Sequence, residues 1–247
     1  MTATGVPDWT TYKAVLFDLD GVVTPTALVH MRAWAEMFDA YLATRPAEEA
    51  QAPFTDADYH TWVDGKPRYD GVRDFLASRG IHLDESEVIR LGDEKNRRVN
   101  EVLERDGVEA YPGSVRLIDH LGGLGIKQAV VSSSANAPTV LRAAGLLDRF
   151  ETIVDGNVAR ELGLPGKPNP DTFLYAAQVL GADAASSVVL EDAVSGVAAG
   201  RAGHFGLTIG VDRGAGDALL AAGADVLVQD LAQLIPADAP GATEARR

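Results

Sequence analysis

Short apolar segments alternate with amphipathic helical patterns along most of the chain. The first apolar segment, 14–19 (AVLFDL), ends in carboxylates and a glycine, which is typical of a buried strand that runs into a loop. Further strand-like segments lie at 127–132, 152–155, 187–190, 206–211 and 225–228. Helical patterns lie at 114–124, 137–144, 170–180 and 193–202. This alternation predicts an α/β fold with a parallel sheet covered on both faces and functional groups at the carboxyl ends of its strands.

The region 25–106 interrupts this alternation. It carries amphipathic helical patterns and almost no strand signal, and its edges at 24–25 and 106–113 contain proline and glycine residues that are typical of hinges. The pattern therefore predicts a core formed by 1–24 and 107–235, with a helical insert over 25–106. The segment 236–247 is rich in proline, alanine and glycine and is predicted to be a flexible tail.

The composition limits the kinds of protein that the chain can be. Its 247 residues, 46% of them hydrophobic, are enough to bury a sizeable core. The absence of cysteine excludes disulfides and thiolate metal sites, so a metal ion would need oxygen or imidazole ligands. No apolar segment approaches the ~18 residues of a membrane span, and the amino terminus lacks signal-peptide features. We therefore expect a soluble cytoplasmic protein, with a monomer as the default.

The formal net charge of −14 makes a nucleic-acid partner improbable, because a polyanion would be repelled over most of the surface. The same field opposes any anionic substrate. A phosphate ester would therefore need a divalent cation and a few Lys or Arg side chains placed at the site itself.

Two carboxylates, Asp18 and Asp20, directly follow the first strand. Strand alternation should direct both side chains to the same side, where Asp18 could attack phosphorus and Asp20 could exchange protons with the leaving and incoming oxygens. Two solvated loop carboxylates are the alternative reading of this tetrapeptide.

A second acidic pair, Glu191 and Asp192, follows the strand-like segment SVVL. Together with Asp18 and Asp20 it would complete an oxygen-rich site for magnesium, with Asp192 a direct ligand and Glu191 a ligand through water or an orienting group. Taken alone, this pair would more often be a helix N-cap with an acidic first turn.

A lysine and a serine cluster complete the candidate chemistry. Lys167 lies in GKPNP, where the prolines stiffen the loop, and its ammonium could offset the repulsion between a carboxylate and a phosphate; a solvated loop lysine is the alternative. Ser132, Ser133 and Ser134 follow a strand and precede a helix, so their hydroxyls could bind phosphate, with Ser132 the best candidate. Ser134 or Asn136 could equally cap that helix.

These four groups, in this order, resemble the motifs of the haloacid dehalogenase superfamily over about residues 13–230. The resemblance implies a Rossmann-like three-layer core, an inserted α-helical cap over 25–106, magnesium, and phosphatase or phosphomutase activity through an aspartyl phosphate on Asp18.

Within the superfamily, the stretches AVLFDLDGVVTPTALVHMRAW, GKPR, AYPG and KPNPDTF are most similar to the β-phosphoglucomutase family, which implies a small phosphorylated sugar as substrate. That resemblance implies that Thr26 and His30 couple the position of the cap to the acid-base residue Asp20. It also implies that Arg68 binds the phosphate that is not transferred. It also implies substrate contacts from Lys66, Gly65, Trp34, Ser133, Ser134 and Asn136.

Three positions depart from that family. Pro25 replaces an acidic residue, Asp64 stands where a cap lysine is expected with Lys66 close by, and Ala193 replaces a serine. These departures concern sugar recognition more than phosphoryl transfer.

The main alternative function is a sugar- or polyol-phosphate phosphatase of the same fold. A non-catalytic sugar-phosphate binder is a further alternative, which the intact acidic residues and Lys167 oppose. A dehalogenase is disfavoured by Asp20, because displacement at carbon needs neither a second loop carboxylate nor magnesium.

Overall fold

A parallel sheet forms the centre of the molecule. The structure is a computed structural model that describes residues 6–46 and 51–237. Six parallel strands pair in the order β3-β2-β1-β4-β5-β6. The strands are β1 (Ala14–Phe17), β2 (Lys127–Val131), β3 (Thr152–Val154), β4 (Ser187–Glu191), β5 (Leu207–Val211) and β6 (Val226–Val228).

The register of the central strands brings three loops level with one another. Phe17 at the end of β1 pairs with Val130 of β2 on one side and with Leu190 of β4 on the other. Because parallel strands end at the same edge of a sheet, the segments that follow these three strands converge there.

Hydrophobic clusters cover the two faces of the sheet, as expected for strands buried on both sides. Phe17 and Val130 belong to one cluster, whereas Leu16 and Val131 belong to the other. The helices outside the insert are α5 (Pro112–Gly123), α6 (Ala137–Ala143), α7 (Gly156–Leu162), α8 (Asp171–Val179), α9 (Val194–Ala202) and α10 (Gly216–Ala222). The predicted α/β fold with a parallel sheet is confirmed.

Within the described part of the insert, residues 25–46 and 51–106, the regular secondary structure is all helical. Its helices are α1 (Ala27–Leu42), α2 (Asp56–Asp58), a π-helical turn (Tyr59–Val63), α3 (Arg68–Ser78) and α4 (Glu85–Asp106). They surround a separate hydrophobic cluster in which Trp34, Phe38 and Phe54 stack in succession and Phe75 packs edge-to-face on Phe54. Burial of each such side chain contributes about 1.5–3 kcal/mol.

The ends of α4 follow from its sequence. The Asp84 side chain accepts a hydrogen bond from the Glu87 backbone N–H, and Gly107 ends the helix at a φ of 70°. Near this end, Val99 and Leu103 pack into the cluster that covers the sheet, as Ala33 of α1 also does. The two outer helices of the insert therefore contact the sheet cluster as well as their own.

Two helices of the core, α7 and α10, are absent from the sequence prediction. Each has only seven residues and begins with glycine, and α7 is held at its start by the Asp155 side chain, which accepts from the Asn157 and Val158 backbone N–H groups. The predicted tail at 236–247 lies outside the described residues from 238 onward. Among the helices that the structure describes, none has the length and hydrophobicity needed to cross a bilayer.

Candidate active site

The candidate site is a cavity of about 50 Å³ between the carboxyl edge of the sheet and the insert. We call it the central cavity. It is lined from both sides, by Asp18, Asp20, Ser132, Ser133, Ser134, Ala135, Asp192 and Ala193 of the core and by His30, Trp34, Tyr59, Val63, Asp64, Gly65, Lys66, Arg68, Lys95 and Asn96 of the insert. The small volume means that the insert lies directly over the acidic strand ends.

A buried lysine joins two carboxylates at the floor of this site. Lys167 Nζ donates to Asp18 Oδ1 at 2.5 Å, to Glu191 Oε1 at 2.6 Å and to the Val131 carbonyl at 3.0 Å. Burial alone would lower the pKa of Lys167, but the neighbouring carboxylates outweigh it and the pKa is raised. The lysine is therefore charged at neutral pH and is not the solvated loop residue of the alternative reading.

Burial also shifts the pKa values of the two carboxyl groups that Lys167 contacts. It raises the pKa of Asp18 to about 6, with Lys167 opposing and Asp20 adding to the rise. It raises the pKa of Glu191 to about 7, again with Lys167 opposing and Asp18 adding. Negative charge at these strand ends is thus costly, and a cation bound beside them would stabilise it.

The carboxylates of Asp18, Glu191 and Asp192 offer oxygen atoms that all lie within 4.8 Å of one another, which fits a hard cation such as magnesium. Both Glu191 oxygens are already engaged, Oε1 by Lys167 and Oε2 by the Ala193 backbone N–H at 2.9 Å. Asp18 and Asp192 therefore remain as the better direct ligands. The Asp20 side chain lies outside this group, and its role as a metal ligand stays a prediction.

A glycine allows this close arrangement of acids. Gly21 has a φ of 88°, and a Cβ built there would lie 1.8 Å from Asp192 Oδ2. A side chain at this position would collide with the carboxylate that best fits the cation.

Asp20 is instead bound by residues of the insert. Thr26 Oγ1 donates to Asp20 Oδ1, and His30 Nε2 lies 3.6 Å from the same oxygen. On its other side, His30 Nδ1 accepts from Lys95 Nζ at 2.8 Å, and that ammonium lies 4.8 Å from the Trp34 ring centroid. The structure thus brings Thr26 and His30 to Asp20, and Trp34 lines the same cavity.

Lys95 was missed by the sequence analysis. Because the protonated lysine can only donate to Nδ1, the His30 ring proton then lies on Nε2, which faces Asp20. Burial lowers the pKa of Lys95 to about 7, with Asp20 opposing, and burial lowers the pKa of His30 well below its usual value, with Lys95 adding to the effect. A signal was present in the sequence, because the apolar stripe of α4, Val88–Leu91–Val99–Leu103, has Lys95 at one of its buried positions.

The hydroxyl groups of the serine cluster contact different partners. Ser132 lines the cavity beside Asp20, and its hydroxyl accepts from the Ser134 backbone N–H at 3.1 Å. Ser133 donates to the Gly65 carbonyl at 2.7 Å. Asn136, predicted to bind substrate or cap the helix, does not line the central cavity, and its side chain makes no cap; instead, its Nδ2 donates to Asn96 Oδ1 at 2.9 Å.

The two predicted cations of the insert line the cavity but pair with carboxylates. Lys66 Nζ donates to Asp74 at 2.6 Å, and Arg68 donates to Asp93 at 3.2 Å. These pairs are partly exposed and weak, so a phosphate could replace the carboxylates. A second, larger cavity of about 270 Å³ shares Arg68, Ser132 and Ser133 with the central cavity.

The turn 21–24, which connects Asp20 to the insert, is bound to the core by Arg213. Arg213 donates to the Gly21 carbonyl at 2.7 Å and to the Gln229 carbonyl at 3.0 Å, and its guanidinium lies 4.2 Å from the Tyr111 ring centroid. The Tyr111 backbone N–H in turn donates to the Val23 carbonyl at 2.9 Å. The two segments that connect the core and the insert therefore lie next to each other, at Val23 and Tyr111.

Comparisons with known proteins were consistent with this geometry. The family model of the haloacid dehalogenase-like hydrolases matches residues 12–204. The chain is 48% identical over 241 residues to the β-phosphoglucomutase of Mycobacterium tuberculosis (strain CDC 1551 / Oshkosh), covering 90% of this chain and 91% of that protein. It is 32% identical over 192 residues to hexitol phosphatase A of Escherichia coli (strain K12), covering 77% and 79%.

A solved structure shares the fold. The crystal structure of β-phosphoglucomutase from Clostridium difficile superposes with a TM-score of 0.74 at 26% identity, covering 91% of this chain and 93% of that one.

Proposed function

Because the chain belongs to the haloacid dehalogenase-like hydrolase family, we propose that it is a magnesium-dependent phosphomutase that converts β-glucose 1-phosphate to glucose 6-phosphate through a phosphorylated Asp18. The observation that carries this proposal is the buried contact of Lys167 with Asp18 and Glu191 beside Asp192. It supplies a nucleophile and the positive charge that a phosphoryl group needs, inside a protein of strongly negative net charge.

In the first half-reaction, an Asp18 oxygen bonds to phosphorus as the bond from phosphorus to the sugar oxygen breaks. Asp20, which faces the same cavity, gives its proton to that leaving oxygen. In the second half-reaction, a sugar hydroxyl attacks the phosphorus of the aspartyl phosphate and returns a proton to Asp20, and the Asp18 carboxylate is released. Lys167 holds Asp18 in place through both steps.

Magnesium, held by Asp18 and Asp192 with Glu191 behind them, would neutralise charge on the transferring phosphoryl oxygens. Thr26 orients Asp20 by donating to one of its oxygens, and His30 presents its Nε2 proton to the same atom. Both residues lie on the insert, so the acid-base group is fully organised only while the insert covers the site.

Residues 25–106 are proposed to act as a cap on the core formed by 1–24 and 107–235. A mutase must hold a second phosphate away from Asp18, and Lys66 and Arg68 of the cap line the cavity where that phosphate would lie. The named mutase relative at 48% identity supports this reading. A polyol-phosphate phosphatase is the second candidate, supported by the named hexitol phosphatase at 32% identity.

The test follows product formation. The protein is incubated with magnesium, β-glucose 1-phosphate and a trace of glucose 1,6-bisphosphate, and glucose 6-phosphate is measured against free phosphate. Glucose 6-phosphate as the main product supports the mutase, and free phosphate as the dominant product eliminates it. Turnover that survives in Asp18→Asn would refute the phosphorylated intermediate, and binding without turnover in the parent protein would indicate a sugar-phosphate binder.

A further inference from the structure

Two serines of the core donate hydrogen bonds to consecutive carbonyls of one loop in the insert. Ser133, which follows β2, donates to the Gly65 carbonyl at 2.7 Å. Ser195, in the first turn of α9, donates to the Asp64 carbonyl at 2.8 Å. The partners are 68 and 131 residues apart in sequence, so both contacts bridge the core and the insert. Neither hydroxyl is needed for the proton or phosphoryl transfers described above.

The loop also fits the core closely. Gly65 has a φ of 69°, and a Cβ there would lie 2.3 Å from Ser195 Oγ and 2.9 Å from the Ala193 Cβ. Two residues further along, Pro67 packs on Gly166, where an added Cβ would lie 2.2 Å from the proline ring. Glycine on each side of the boundary thus permits a separation that any larger residue would prevent.

When this loop lies on the core, it adds one positively and one negatively charged side chain to the acidic site. It brings Lys66 to the cavity, but it also brings Asp64, a carboxylate that lines the same cavity as Asp18 and Asp192. Repulsion between Asp64 and these acids opposes docking. The two serine hydrogen bonds act in the opposite direction, and two bonds of ordinary strength favour the docked arrangement by about 5- to 150-fold.

We propose that Ser133 and Ser195 are positioning residues that form a two-point latch, holding the loop 64–67 on the core. When the latch is made, the cations of the insert and the Asp20 partners Thr26 and His30 stand over Asp18, and bulk water is excluded. When it is released, the insert moves away and the aspartyl phosphate is open to water. The consequence for phosphoryl transfer rests on the proposed function; the latch itself does not.

The latch can be tested without any enzymatic assay. Because the chain has no cysteine, a pair of spin labels can be attached at two introduced cysteines, Ala77→Cys on the insert and Ala218→Cys on the core, both at exposed positions. Pulsed electron paramagnetic resonance then reports the distance between insert and core in each variant. The ratio of long to short distances is compared in the labelled parent and in the same protein carrying Ser133→Ala and Ser195→Ala together.

The double variant is expected to raise the long-distance fraction relative to the short one by about 5- to 150-fold, and each single variant by less. A matched control is Ser186→Ala, whose hydroxyl donates only to the Asp183 carbonyl of its own turn and which should match the parent. The conservative Ser133→Thr, Ser195→Thr pair keeps the hydroxyls and should restore the parent distribution. A double alanine variant that keeps the parent distribution while folded, as judged by its circular dichroism and Tm, overturns the latch.

The second measurement is the fate of the phosphoryl group. With β-glucose 1-phosphate and the bisphosphate primer, Ser133→Ala with Ser195→Ala should raise KM and increase the ratio of free phosphate to glucose 6-phosphate by about tenfold. Phosphorylation of Asp18 by acetyl phosphate should keep the parent rate in the single variant Ser195→Ala, because Ser195 does not line the central cavity. A parent protein that turns over no sugar phosphate refutes the proposed function but leaves the distance measurement valid, whereas an unchanged product ratio in the double variant refutes the link between latch and transfer.

Discussion

Lys95 provides a quantitative test of how the site is built. Its ammonium is buried between His30 and the Trp34 ring, and burial lowers its pKa from 10.5 to about 7, with Asp20 opposing. In the unfolded chain, the same group keeps its ordinary pKa. At about 1.4 kcal/mol per pKa unit, the difference corresponds to about 5 kcal/mol of unfavourable free energy when the lysine is forced to be charged in the folded protein.

The direction in which the free energy of unfolding changes with pH depends on whether Lys95 carries its proton in the folded and in the unfolded chain. Between pH 7 and pH 10.5, the unfolded chain holds a proton that the folded protein has released at Lys95. The free energy of unfolding therefore rises with pH in this window, and the gain is lost as the pH falls towards 7. Relative to Lys95→Met, the wild-type protein should gain about 1.4 kcal/mol per pH unit, or about 3 kcal/mol between pH 7.5 and 9.5.

The assay is urea unfolding followed by tryptophan fluorescence at half-unit steps from pH 6.5 to 9.5. Wild-type protein is compared with Lys95→Met, and Lys13→Met serves as a control because Lys13 is exposed. Taking the difference between wild type and variant at each pH cancels the titration of the groups that both proteins share. A difference that stays constant with pH would show that Lys95 is not perturbed by burial, and the role of this lysine in holding His30 neutral would have to be abandoned.

Four further outcomes are expected. Asp18→Asn should abolish both turnover and labelling by radioactive acetyl phosphate with the Tm retained, and residual labelling would contradict the nucleophile. Gly21→Ala should lower activity by at least about tenfold and the Tm measurably, because its Cβ would overlap the Asp192 carboxylate at a strained φ. Arg68→Ala should raise KM for β-glucose 1-phosphate about tenfold but leave acetyl phosphate unaffected, and equal effects on both would count against its assigned grip. Chelation of divalent ions by EDTA should stop turnover reversibly, and activity that persists in EDTA would refute the magnesium site.

The fold and the acidic centre were predictable because their signals are local. Each strand is a contiguous apolar segment, and Asp18 and Asp192 directly follow two of them. Knowledge that parallel strands end at one edge is then sufficient to bring residues 174 positions apart into one site. The family assignment made from the ordered motifs is confirmed by the family model and by the identity with known relatives.

Contacts between helices and distant loops were not predictable in this way. Lys95 interrupts the apolar stripe of α4, but nothing in the stripe shows that the residue meets His30 of α1. Asn136 precedes a helix in a position typical of a cap, yet its side-chain amide donates a hydrogen bond to Asn96 of the insert. Such pairings depend on how two packed units meet, which hydrophobic periodicity does not encode. The metal ligands, the cytoplasmic location and the monomeric state remain predictions.

The order of the strands has a consequence for how this protein can change over evolutionary time. The three strands that deliver Ser132, Asp18 and Asp192 are immediate neighbours, whereas β3 and β6 stand two and three strands away from β1, or about 10 and 14 Å. The connection after β3 carries Lys167 back to the charged centre and is therefore constrained, whereas the loop after β6 can lengthen or shorten without disturbing that centre. Diversification of substrate choice is therefore possible at the periphery and in the insert, while the three middle strands conserve the reaction itself.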